Sequence, residues 1–159
     1  MLKLSKLADY ALMVIQTLGS DRNQRLTGRG LTEVTGLPQP TVRKVLLQLL
    51  QGGLIISTPG AKGGYDVAKP LSEITVLMVL RAVDGDWAMT ACDSHDADAS
   101  SLCTYKDFCQ LKHGWRVVNA WLMQMLNSIS VEDMAKGLHN HPLNGLMQAP
   151  FRQVKEGIT

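Results

Sequence analysis

Between Ser5 and Gln51 the apolar residues fall three and four apart in three successive blocks, glycines separate the blocks, and two short β-branched runs follow around a glycine-rich turn. Three helices and then a hairpin is an order that few architectures accommodate. In the first block Leu7, Ala8, Ala11, Leu12, Ile15 and Leu18 make one face, Ser5 is placed to cap the start, and Gly19 is expected to end it. Thr27 can cap a short second helix with Leu31 and Val34 turned inward. Gly28 and Gly30 each cost about 1 kcal/mol against alanine in a helix interior, so this helix must lean on tertiary packing. Gly36 breaks the chain, Pro38 and Pro40 suit a first turn, and a third helix with Val42, Val45, Leu46, Leu49 and Leu50 on one face runs to about Gln51 before Gly52 and Gly53 stop it.

Residues 54–58 (LIIST) and 65–68 (YDVA) read as two short strands joined by the turn PGAKGG. Helix, turn, helix, hairpin is the order of a winged helix-turn-helix. A further helix, capped by Ser72, is expected through about Val83. Residues 92–110 are rich in Asp and Ser and carry all three cysteines, which reads as a loop. Periodicity then returns, with Leu111, Trp115, Val118, Leu122, Met125 and Ile129 spaced as in a coiled-coil seam that Trp121 and Leu126 widen. Such a helix, on the order of 27 Å long, overreaches a small winged head. It either folds back on its own domain or pairs with its twin in a homodimer, and the narrow, regular seam favours the homodimer. Ser130 to Asp133 forms a capping box for a short last helix ending at Gly137. The expected fold is therefore mainly α: a winged DNA-binding domain over 1–83, a cysteine-bearing sensor loop over 84–110, a dimerisation helix and short terminal helix over 111–137, and a loose tail over 138–159. A chain of 159 residues suits one domain with such an accessory element, and 5% aromatic content without strand-like alternation argues against an all-β sandwich.

The charge is unevenly spread. From Arg22 to Lys69 seven basic residues face two acidic ones, a local net charge of +5, whereas Asp84 to Asp98 carries five aspartates and no Lys or Arg. The basic stretch coincides with the third helix and the wing. A helix-turn-helix sets the start of its second helix in the major groove. The residues expected to face DNA there are Gln39, Thr41, Arg43 and Lys44, with Gln48 and Gln51 further along the stripe. Arg43 can form two hydrogen bonds to a guanine edge, and Lys44 can serve a base or a phosphate. In the wing, Lys62 supplies charge while Gly60, Gly63 and Gly64 let backbone amides approach phosphate. A solvated basic surface on a protein-binding winged helix is the competing reading, and the coincidence of charge with reading helix and wing favours double-stranded DNA.

Cys92, Cys103 and Cys109 are spaced C-x10-C-x5-C, and His113 follows Cys109 by one helical turn. Structural zinc sites usually contain a tight C-x(2–4)-C knuckle, which is missing. Iron–sulfur clusters tolerate wide loops and a non-cysteine fourth ligand. Spacing alone leaves both open, together with a thiol–disulfide switch. Three unrelated thiols fit less well, because free cysteines are usually buried among apolar neighbours and these lie among Asp, Ser and Lys. An enzyme with Cys109 as nucleophile and His113 as base would need an orienting group that the sequence does not show, so no catalysis and no small-molecule substrate are expected. The longest apolar run, Val76 to Leu80, is too short to cross a bilayer, and the start carries Asp9 inside its apolar stretch without a cleavage site, so a cytoplasmic protein is expected.

Taken together, LSKLADYAL, GLPQPTVRKVL, GLIISTPGAKGGYDVAKP, AVDGDWAMTAC, the C-x5-W entry to the long helix and SVEDM resemble the iron–sulfur winged-helix repressor family of IscR and NsrR, over about residues 1–137. The likeness is greatest to the branch regulating the SUF cluster-assembly operon. The resemblance implies that Cys92, Cys103 and Cys109 ligate a 2Fe-2S or 4Fe-4S cluster, that the long helix dimerises the protein, and that cluster state changes operator binding. It leaves two candidates for the fourth ligand. The IscR histidine falls where this chain has Lys112, one place before His113, whereas the NsrR aspartate falls at Asp9. IscR carries Glu at the place of Arg43, Gln at that of Lys44 and a wing arginine at that of Pro59, so the resemblance does not carry its operator over.

Overall fold

The computed structural model describes residues 4–20, 25–60, 63–85, 108–139 and 141–144. Three helices come first: α1 (Lys6–Ser20), α2 (Gly28–Thr35) and α3 (Gln39–Gln51). Strands β1 (Ile55–Thr58) and β2 (Gly64–Val67) pair antiparallel, with Ile55 opposite Val67 and Thr58 opposite Gly64. Next come a 3-10 turn over Leu71–Glu73, α4 (Val76–Asp84), α5 (Lys112–Ser128) and α6 (Val131–Ala135). No helix among the described residues is long and apolar enough to cross a membrane.

The core gathers on α1, where Ala8, Ala11, Val14, Ile15 and Leu18 are buried. Small residues at 8 and 11 let neighbouring helices close on this face, and α3 contributes Val42, Val45, Leu46 and Leu49 to the same cluster. Burying each of these larger side chains contributes roughly 1.5 to 3 kcal/mol. Local signals hold at several points. Thr27 Oγ1 accepts from the Gly30 amide at 3.0 Å, and Pro40 lies in the first turn of α3. Gly19 does not end α1 as expected. It lies inside the helix, where a Cβ would run into the Leu71 side chain, so its role is to admit Leu71.

The expected helix from Ser72 is also corrected. Only a 3-10 turn forms at 71–73, and α4 starts at Val76 under a Thr75 cap whose Oγ1 accepts from the Met78 amide at 3.2 Å. The reason is tertiary. Ile74 is extended, its carbonyl accepts from Val131 N at 2.8 Å, and Val76 N donates to the Ile129 carbonyl at 2.9 Å, bridging Thr75 to Ser130. Those two bonds fasten the end of α5 to the beginning of α4. At 17 residues against nine, α5 is longer than α4 by roughly 12 Å. The tail expected to be loose from 138 is corrected at its start, where Leu138 and Leu143 pack against the core and His141 Nε2 lies 3.0 Å from the Ser128 carbonyl; beyond Asn144 it lies outside the described residues.

Ser130 also starts α6 through the expected capping box: its Oγ accepts from Asp133 N at 3.0 Å, and its own amide donates to Asp133 Oδ2 at 3.0 Å. Hydrogen bonds from the Ser130 hydroxyl, at 2.6 Å, and then from its amide hold the Asp133 carboxyl below the usual carboxylate range. A lowered native pKa contributes stability above the unfolded value, about pH 4, and that stability disappears as pH falls through the native value. Ser130→Ala is expected to lower stability by about 1 kcal/mol in urea titrations at neutral pH. Asp133→Asn should also destabilise at neutral pH, and its deficit should close as the buffer is taken well below pH 4.

Candidate nucleic-acid interface and thiol segment

The turn between α2 and α3 is set by Gly36, which adopts φ 70° and ψ 4° and donates its amide to the Thr32 carbonyl at 3.0 Å. That left-handed conformation is costly for a side-chain-bearing residue. Leu37, next in the chain, is buried and pins the turn to the core. With Val42, Val45, Leu46 and Leu49 inward, α3 exposes Gln39, Pro40, Arg43, Lys44, Leu47 and Gln51. Arg43 and Lys44 thus stand in solvent on the reading helix as expected, and Gln39, Pro40, Arg43, Lys44 and Leu47 line one shallow recess.

The outward stripe is rotated from the expected one. Thr41 is half-buried, and so is Gln48, whose Nε2 donates to the Val83 carbonyl at 3.0 Å. Gln48 is therefore removed from the residues facing DNA: packing of α3 on α4 turns it inward. Leu47, 55% exposed, takes its place, and the 40, 43, 44, 47, 51 spacing was the signal that could have revealed it. Beside two cationic side chains, a bare leucine can meet a thymine methyl in the major groove.

The wing is tied to the helices by backbone pairing. Tyr65 N donates to the Leu26 carbonyl at 2.8 Å and Leu26 N to the Tyr65 carbonyl at 3.3 Å, immediately before α2. A groove between the start of α2 and the wing is lined by Thr27, Gly28, Ser57, Thr58, Gly60 and Gly63, among others. The expectation for Gly63 changes, since its amide already donates to the Gly60 carbonyl at 2.9 Å, and a Cβ there would collide with the Thr58 carbonyl oxygen. It shapes the turn and has no amide left for phosphate. Lys62 lies outside the described residues. Arg25 is exposed next to this groove's Leu26–Tyr65 pairing, and Arg29 is partnered by Glu33 at 3.1 Å in a surface pair worth little in energy.

Of the thiol segment, Cys92 and Cys103 lie outside the described residues. Cys109 is a half-exposed free thiol whose carbonyl accepts from Lys112 N at 3.4 Å, at the threshold of α5. His113, in the first turn of α5, and Asp9, in the first turn of α1, are both exposed. Among the described residues no three or more His, Cys, Asp or Glu side chains group to hold a metal. The expected seam is divided: Ile129 is buried in the head's own core and Leu122 and Leu126 are half-buried, so only its first part and Met125 face outward. Asn119 is the one buried residue of α5 among those described, whereas Leu111, Trp115, Val117, Val118 and Met125 face solvent and Trp121 is 74% exposed.

Comparison with known proteins gives one consistent picture. A family described as Rrf2, iron-dependent transcriptional regulator, matches residues 4–137. The chain is 30% identical over 139 residues to the HTH-type transcriptional regulator NsrR of Oceanobacillus iheyensis, covering 85% of this chain and 90% of that protein. Its fold is similar to the solved structure of T. potens IscR, at TM-score 0.64 and 24% identity over 89% of this chain and 91% of the other. It is also similar to CymR, the global cysteine regulator of B. subtilis, at TM-score 0.63 and 20% identity over 86% and 98% of the two chains. The matched family and the NsrR relative are both described as transcriptional regulators.

Arg43→Ala is expected to weaken binding to the specific site by about 1 to 3 kcal/mol and to relax base preference at one position. Lys62→Ala should weaken specific and random duplexes alike and flatten the salt dependence. Titrations against both duplexes at several salt concentrations check the pair of outcomes.

Proposed function

The chain belongs to the Rrf2 family of transcriptional regulators, and from that premise we propose that it is a homodimeric repressor of cluster-assembly genes whose operator affinity is set by an iron–sulfur cluster. The carrying observation is the accessible Cys109 thiol at the threshold of a long helix whose apolar side chains face solvent. The donor set suits such a cluster: three thiols, with Asp9 or His113 completing it, and neither Asp9 nor His113 has a side-chain hydrogen bond among the described residues. Thiolates hold iron–sulfur clusters and accept an oxygen or nitrogen donor at one position. Cys92, Cys103 and Cys109 would be the protein's thiolate ligands.

When bound, the cluster supplies a group whose loss or oxidation changes the charge and ligation of the thiol segment. The chain's own residues do the rest. Arg43, Lys44, Gln39 and Leu47 meet base edges and Lys62 the backbone, while Thr41 supports the start of the reading helix. In a dimer formed through α5, two reading helices are presented together, and they must lie about 34 Å apart to enter successive major grooves. Removing Trp115, Val118 and Met125 from water is the driving force for that pairing.

Three measurements test this. Protein purified without oxygen should be brown and contain iron with acid-labile sulfide; a colourless protein with zinc, or one with thiols alone, would instead support a zinc site or a thiol switch. Cluster-loaded protein, cluster-free protein and the Cys92→Ala, Cys103→Ala, Cys109→Ala triple variant should differ in affinity for the same operator. Equal affinities would end the sensor reading. For assembly, Val118→Glu combined with Met125→Lys places charge on side chains the winged head does not bury, and should convert the dimer mass in light scattering to that of a monomer.

A further inference from the structure

The last turn of α4 carries more cross-links than its size requires. Gln48 of the reading helix donates Nε2 to the Val83 carbonyl at 3.0 Å, and Ser5, which precedes α1, donates Oγ to Asp84 Oδ1 at 2.6 Å. Gly52, at the end of α3, has φ −76° and ψ −2°, torsions open to any residue, so no turn demands a glycine there. Its missing side chain is a matter of space, because a Cβ would stand 2.7 Å from the Ala82 Cβ. The end of α3 is thus pressed onto residues 82–83 and stitched there.

Gln48 is an uneconomical way to gain stability. Its Oε1 is buried without a hydrogen-bond partner among the described residues, so one half of the amide offsets what the other half contributes. An apolar side chain would fill the position without that cost. What the amide does supply is direction, a bond from the reading helix to one carbonyl at the end of α4. Gly85 then closes α4 at φ 77° and ψ −156°, and Cys92 follows it by seven residues in the chain.

We propose that Gln48 is a positioning residue: through the Val83 carbonyl it fixes the pose of the reading helix to the end of α4, so that a change in the cysteine segment reaches the DNA-reading surface by way of Gly85, Val83 and Gln48. This rests on the sensor reading above for the origin of the signal, though not for the mechanical link. Asp84 and Ser5 extend the same turn to the start of α1, three residues from the candidate ligand Asp9 in its first turn.

The test uses full-length protein and a duplex selected from random sequence by the wild type. Gln48→Met keeps length and helix propensity and removes the donor, whereas Gln48→Lys restores a donor. If the wild type's cluster-loaded and cluster-free forms differ by the 5- to 150-fold typical of allosteric coupling, the ratio should fall below about 2-fold in Gln48→Met and return in Gln48→Lys. An unchanged ratio in Gln48→Met overturns the proposal, as does an equal loss in both forms, which would mark Gln48 as a DNA contact. A second arm needs no cluster. A Cβ at Gly85 meets nothing within 4 Å, so Gly85→Ala acts through backbone torsion alone. It should change operator affinity several-fold in the wild-type background and leave the Gln48→Met background unmoved. An equal effect in both backgrounds, or none in either, sinks the link. A wild type indifferent to its cluster would refute the sensor reading while this arm still decides the role of Gln48.

Discussion

The apolar face of α3 seated on α1 determines where each side chain of the reading helix points. Val42, Val45, Leu46 and Leu49 are withdrawn from water against the cluster that holds Ala8, Ala11 and Ile15, and that burial fixes the rotation of α3 about its own axis. Once the rotation is fixed, Arg43 and Lys44 face outward and Gln48 faces α4 without further instruction. A helix turns about 100° per residue, so a packing change that rotated α3 by one position would bury an arginine and expose a valine. Reading and packing are two faces of one constraint.

The wing obeys a similar economy. Its strands are four residues each, too short to be stable alone, and the Leu26–Tyr65 pairing adds a third stretch of backbone to the ribbon. The same pairing delivers the chain to Thr27 at the start of α2. Wing and helix-turn-helix are consequently one body, and backbone pairing sets the shape of the groove between them.

Much of this was legible in the sequence because the signals are local. Three helices, the Thr27 cap, the proline at the start of α3, the hairpin and the Ser130 capping box each declare themselves within a handful of residues. What was misread depends on distant partners. Ser72 has the chemistry of a cap, but Ile74 and Thr75 are held extended by bonds to Ile129 and Val131, more than fifty residues away, and the helix begins only after Thr75. Gly19 looks like a terminator until Leu71 is placed beside it. Gln48 looks like a base reader because its neighbours are, and only the position of Val83 shows otherwise. The thiol segment is legible only as three cysteines in a polar stretch, whose spacing leaves cluster, zinc and thiol switch open, and Cys92 and Cys103 lie outside the described residues.

The backbone anchoring of α5 at its far end separates two histories. Bonds from Val76 and Val131 anchor its far end to the head, while the residues from 113 to 118, nearer Cys109, are exposed. None of these residues belongs to the buried core or to the reading helix. In the proposed dimer, two copies that arise by gene duplication can diverge there first, ceasing to recognise each other while each still binds the ancestral site. A set of such regulators in one cell would then stay insulated from one another through a stretch of less than two helical turns, leaving α3 and the wing free to drift later toward new sequences.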